Sequence, residues 1–193
     1  MKSERTIAAL LALSVACSYA LAPVVGFAEV QVLSETTLLV DGKKLTGQHD
    51  LAIHPVVKGL LAAFERAESA LKKKDLDALM QFYAPAYDYH GLKGSDVRRI
   101  WSEVFEHYNS VESLHLFSDI KVTQVNNELR AEVTCTGGLY GIEERTGNRT
   151  TLDSWFREVH YLVKEEGVWR FLGNAGEIPT GAPFASAPHH PLF

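Results

Sequence analysis

His90 has the most chemistry to offer of any residue in this chain. A histidine titrates near neutral pH and can give or take a proton without a large shift in its pKa. It ends the run Tyr87-Asp88-Tyr89-His90, which Gly91 and Gly94 close. Side chains alternate along an extended strand, so Tyr87 and Tyr89 share one face and Asp88 and His90 the other. Asp88 is thereby placed to orient the His90 ring, as a carboxylate does for a general base. The structural alternative is that His90 merely caps the strand and bonds to backbone near Gly91.

A second set lies between residues 150 and 164, with His115 as a further candidate. Strict alternation puts Asp153, Trp155, Arg157, Val159 and Tyr161 on one face, and Ser154, Phe156, Glu158, His160 and Leu162 on the other. If the first face lines an interior, Arg157 can hold a carboxylate or phosphate through its planar fork. The alternative is an exposed Asp153–Arg157 pair that contributes little. If the register is reversed, Glu158 and His160 face inward instead. Tyr87, Tyr89, Trp101, Trp155, Arg157 and Tyr161 are the expected lining of a pocket for a small, partly apolar, flat molecule.

Other chemistries find less support. His90, His107, His115 and His160 are scattered, with no His-x-x-x-His and no cysteine pair, so no metal is expected. No Gly-rich phosphate loop, nucleophile elbow or Ser-His-Asp order occurs, and no cofactor is expected. The formal charge of −5 gives no basic excess with which to hold nucleic acid. The one strong basic run, Lys72-Lys73-Lys74, sits where it suits the negative end of a helix dipole.

These residues need elements to position them. His54-Pro55 opens a helix whose stripe Val57, Leu60, Leu61, Phe64, Ala67 and Leu71 is apolar, with Glu65, Arg66, Glu68 and Lys72 on the other side. Asp75 caps a second, short helix that Pro85 stops. Ser95 caps a third, whose face is Val97, Ile100, Trp101, Val104, Phe105 and Tyr108. The period then changes. Residues 113–117, 119–125, 128–140, 150–164 and 168–174 read as strands, with Asn126-Asn127 and Glu165-Glu166-Gly167 as turns. The pattern predicts an α+β fold: three N-terminal helices packed on a strongly curved antiparallel sheet, forming a cone with an internal pocket.

With 193 residues, 46% of them hydrophobic, the chain can bury one core. Lys2 and Arg5 precede an apolar run from Ile7 to Ala28, the pattern of an export signal (1–28) cleaved after Ala28. A retained anchor and lipidation at Cys17 are the rivals. Export is therefore expected, to the periplasm or beyond. Cleavage leaves Cys135 alone, unable to form an internal disulfide and read as a small buried hydrophobe. Residues 29–53 form a leader in which two strands around Asp41-Gly42 make a small hairpin on the domain edge. The Gly-, Pro- and Ala-rich tail 176–193, with His189 and His190, is expected to be disordered.

Several runs together carry a resemblance. A helix is followed by Asp75-Leu76-Asp77-Ala78-Leu79, then Phe82-Tyr83-Ala84-Pro85, a short strand ending in glycine, a third helix, and a meander ending Gly167-Val168-Trp169-Arg170-Phe171. Over residues 54–175 this resembles the nuclear transport factor 2-like superfamily, which includes SnoaL-like polyketide cyclases, ketosteroid isomerases and many exported proteins. The resemblance implies a cone-shaped α+β barrel with a pocket between helices and sheet, often dimeric through the outer sheet face. Carried across, the isomerase's helical tyrosine falls near Ala67, its general-base aspartate at or beside His90, and its protonated aspartate near Val159 or His160. Ala67 and Val159 cannot donate, so steroid isomerisation is not expected. The likeness also extends to accessory domains of cell-wall transpeptidases, although no transpeptidase cysteine motif is present. The expected function is an exported small-molecule-binding or accessory domain. The alternative is a cofactor-free SnoaL-like enzyme that moves protons, with His90 as base and Asp88 as its orienter. A third reading is a dimerisation scaffold. An envelope protein and a second copy bound through the sheet are the expected macromolecular partners.

Overall fold

Hydrophobic periodicity and capping set the helical layer. In a computed structural model that describes residues 30–89, 91–143 and 145–175, the first strands are β1 (Val30–Val40) and β2 (Lys43–Thr46). The expected export signal, the tail with His189 and His190, and His90 itself lie outside the described residues. Helices α1 (Gln48–Ile53), α2 (Pro55–Lys73) and α3 (Leu76–Met80) follow. Pro55 starts α2, where its missing N–H costs nothing, and His54 Nδ1 accepts from Val56 N at 3.3 Å. Lys72 and Lys73 close it, and Lys74 turns left-handed at φ 53°. The Asp75 carboxylate then accepts from Ala78 N at 3.0 Å and caps α3. Pro85 and the turn before it leave the helix layer for the sheet: Ala84 N donates to Phe171 O at 2.8 Å and Phe171 N to Phe82 O at 2.7 Å.

A two-residue hairpin, β3 (Asp88–Tyr89) with β4 (Leu92–Lys93), leads into α4 (Gly94–His107). The Asp96 carboxylate caps it by accepting from Lys93 N at 2.8 Å, so the helix starts slightly before the expected Ser95. Val97, Trp101 and Phe105 are its buried face. Among the described residues no helix is long and apolar enough to cross a membrane.

The long strands are β5 (Tyr108–Val125), β6 (Glu128–Glu143), β7 (Arg149–Glu165) and β8 (Val168–Ala175), in a six-stranded sheet of order β2-β1-β5-β6-β7-β8. The two strands expected at 113–117 and 119–125 are one, irregular at Ser118. Helices on one face of a large curved sheet give the expected α+β cone. Around Asp41-Gly42, β1 and β2 pair as a hairpin at the sheet edge, as expected. The hairpin is more than a leader, since β1 joins the sheet, Val30, Leu38 and Leu51 belong to the common core, and α1 adds a helix. The sheet is also mixed, because β1 runs parallel to β5.

Phe64 of α2 sits at the centre of the core, edge-on to Phe82 at 5.1 Å, Phe117 at 5.1 Å and the His115 ring at 4.8 Å. Full burial of one such side chain contributes about 1.5–3 kcal/mol.

Candidate functional site

Among these aromatic side chains runs a row of polar ones. β5 sends in Ser113 and His115, β6 Cys135, β7 Glu158 and His160, and β8 Asn174; α2 adds Glu68 from the opposite layer. Strand register explains why they meet. Cys135 stands directly across from Phe117 on one side and Glu158 on the other. His115 and His160 are each two residues from those partners, on the same face, and so flank Cys135 diagonally.

Hydrogen bonds set each group. The Ser113 hydroxyl donates to Glu68 Oε1 and lies 3.1 Å from His115 Nε2, which is itself 3.5 Å from Glu68 Oε1. A serine with its proton committed to Glu68 accepts from Nε2–H, which fixes the tautomer and turns Nδ1 towards Cys135 Sγ, 3.8 Å away. Trp155 Nε1 donates to the same sulfur at 3.3 Å. His160 Nδ1 bonds Asn174 Oδ1 at 2.6 Å. The Trp155 ring lies 5.1 Å from His115 and 5.9 Å from His160, and Phe171 lies 5.6 Å from His160.

Gly137 makes room for this. It is the residue across from both His115 and Trp155. A Cβ there would come within 1.9 Å of the Leu114 carbonyl oxygen and 2.9 Å of the Trp155 ring.

Burial, and then the neighbouring His160, pushes the His115 pKa well down. Burial also raises the Cys135 thiol to about 12, against a smaller opposing pull from the Trp155 N–H. Glu158 is raised to about 8, first by burial and then by Asp153. Tyr89 is raised to about 12 by burial, then by Glu158 and Asp153, so these three groups form a charge-coupled set beside the row. At neutral pH His115 and Cys135 are thus both uncharged, which suits an aromatic surround.

The residues singled out in the sequence are distributed unevenly. Trp155 belongs to the row, and Tyr87 and Tyr89 are buried. Asp88 is exposed: it pairs with Lys93 Nζ and accepts from Gly91 N at 3.1 Å, and these two bonds, Lys93 first, hold its carboxyl below the usual range. Trp101 is buried in the helix layer, packed on Phe105 and donating to Tyr83 Oη at 2.7 Å. Arg157 is exposed and Tyr161 lies on the outer side with Glu132, contrary to their expected place inside. The reason is a bulge. Phe156 and Arg157 together oppose Thr136, Arg157 takes φ 52°, and its N–H donates to Thr136 Oγ1 at 3.1 Å. The extra residue reverses the alternation, so Trp155 before it and Glu158 and His160 after it all face inward. Phe156 is 79% exposed as a result.

Glu68, assigned to the polar side of the first long helix, is buried instead. One signal for it was available, since it lies one turn beyond Phe64. Ser113-x-His115-x-Phe117 likewise marked a strand face with polar groups among apolar ones.

No family model and no curated protein matches the sequence. Solved structures do. A scytalone dehydratase-like protein of Novosphingobium aromaticivorans is similar at TM-score 0.50 and 11% identity, with 67% of this chain and 89% of that one covered. A dehydratase-like protein of the NTF2-like family from Streptomyces avermitilis has TM-score 0.43 and 14% identity over 61% of this chain and 92% of its own. Bd1075 of Bdellovibrio bacteriovorus has TM-score 0.44 and 12% identity over 71% of this chain, which spans only 45% of that protein. Identities this low speak to fold and leave chemistry to the site. Helices packed on one large curved sheet make the architecture an α+β cone, a fold shared with the scytalone dehydratase-like protein.

Proposed function

We propose that this chain is an exported small-molecule-binding domain whose ligand is held within the cone against the polar row. One observation carries the reading. Glu68, Ser113, His115, Cys135, Glu158 and His160 are all between 0 and 4% exposed, in an interior otherwise built of aromatic and aliphatic side chains. Apolar residues of similar volume would fill that space without desolvating ionisable groups. Polar groups set in an aromatic wall are what orients a flat, partly apolar molecule. Tyr89, with which Glu158 and Asp153 interact electrostatically, would contribute to the same site. Export rests on residues 1–28, and a docking role for an envelope partner or a second copy would use the outer sheet face around Phe156.

The test is native mass spectrometry of gently purified mature protein beside Tyr89→Phe and Glu158→Gln. A co-purified organic mass, lost in the variants, is expected. A chain that emerges unliganded, and gains no melting temperature from a panel of flat phenols, ketones and aromatic acids, overturns the reading.

A second reading is a cofactor-free enzyme of the isomerase, cyclase or lyase type. The head-to-tail Glu68–Ser113–His115 chain favours it, since such a chain can pass a proton inward. His90 is its proposed base. Turnover of a ligand found by mass spectrometry, lost in His115→Gln and in His90→Ala, would select it; unchanged turnover in both would reject it.

A further inference from the structure

We propose that His115, Cys135 and His160 form a binding site for a single transition-metal ion, copper before zinc. Each of the three offers one donor atom, and these atoms lie within 4.8 Å of one another, all buried. Donors around one ion at bonds of about 2.0–2.3 Å sit about 3.5 Å apart. The longest edge must therefore close by roughly an ångström, a distance side-chain torsions can supply.

A cluster of donor types is a weak argument by itself; the groups behind the donors are a stronger one. Histidines that bind metals hold their other ring nitrogen against a carboxylate, carbonyl or similar acceptor, which sets the tautomer and aims the lone pair. Both histidines do so here, by unrelated partners. His115 places Nε2 against Ser113 and Glu68 and presents Nδ1 to the cysteine. His160 holds Nδ1 against Asn174 Oδ1 at 2.6 Å. The sulfur receives the Trp155 N–H at 3.3 Å, a bond suited to moderating a bound thiolate. Three donors on three adjacent strands are thus each braced from behind.

The donor set selects the ion. Two imidazoles and one thiolate are too soft for magnesium or calcium, which want oxygen. A soft thiolate favours copper(I), and a trigonal set of two histidines and one cysteine is an arrangement copper accepts, whereas zinc asks for a fourth ligand. Cys135 stands alone in its strand, but the two braced histidines make it part of a site.

This inference does not depend on the small-molecule reading, and mass spectrometry separates a metal ion from an organic ligand. The experiment loads the mature protein with copper(I) and, separately, zinc, both by incubation and by refolding from denaturant, since the donors are buried. Loose metal is removed on a chelating resin, and metal is then counted against protein. One equivalent is expected in the wild type, with copper held more tightly than zinc. C135S should lose stoichiometric metal, and the oxidised copper form should show a visible thiolate-to-copper absorption band that C135S lacks. Asn174→Leu leaves all three donors in place and should weaken retention by about tenfold to a hundredfold. Should C135S fold poorly, Cys135→Ala serves in its stead, with circular dichroism as the check. No stoichiometric metal by either loading route overturns the site. Equal retention in wild type and the cysteine variants does the same, and tighter zinc than copper overturns the choice of ion.

Discussion

Two carboxylates in this molecule each sit beside a partner, and they teach opposite lessons. Asp88 pairs with Lys93 on the exposed β3–β4 hairpin, where water competes for both charges. Glu68 meets Ser113 and His115 in the dry layer between α2 and the sheet. An exposed pair is screened and holds two mobile side chains in one geometry for little return. A buried carboxylate is costly to place and costlier to orphan, so its partners matter to the fold. The sequence drew attention to the first; the packing favours the second.

The largest effect should come from the ring that holds the two layers apart. Phe64→Ala is expected to lower unfolding free energy by about 3–5 kcal/mol, read by urea denaturation. A loss under about 1 kcal/mol would mean that the interior repacks freely and the row is not rigid. Gly137→Ala comes next, at about 1–3 kcal/mol, because the new methyl meets a backbone carbonyl and the Trp155 ring. It should also change Trp155 fluorescence, and an unperturbed spectrum would place that ring elsewhere. Ser113→Ala removes the link between Glu68 and His115 and should cost about 1–3 kcal/mol. Asp88→Asn should leave the denaturation midpoint unchanged within error. A large drop there would erase the contrast between hairpin and interior.

Helices and turns were legible because they obey local rules. Pro55, Asp75 and Pro85 mark their positions by φ restriction and capping, and apolar spacing marks the buried faces. The β7 face was not legible, because one extra residue at Phe156–Arg157 inverts the alternation midway and each simple register holds for only half the strand. The parallel β1–β5 pairing was hidden for a different reason: residues that pair over so long a separation leave no local signature. The row fell between these cases. His115 and His160 were visible as candidates, but Cys135 looked inert and Glu68 solvated until four strands and a helix brought them together.

The parallel first strand has a consequence for how the chain folds. Thr36 Oγ1 donates to Phe117 O across 81 residues, and Leu38 pairs with Ile120. None of these bonds can form until β5 exists. Among the described residues, the first strand thus waits longest for its parallel partner. Contacts of such wide separation slow folding, since loop closure must precede the bonds that offset it. Until β5 arrives, β2 can cover one edge of residues 37–40, while the other edge of Val30–Val40 keeps its backbone groups open to a wrong neighbour.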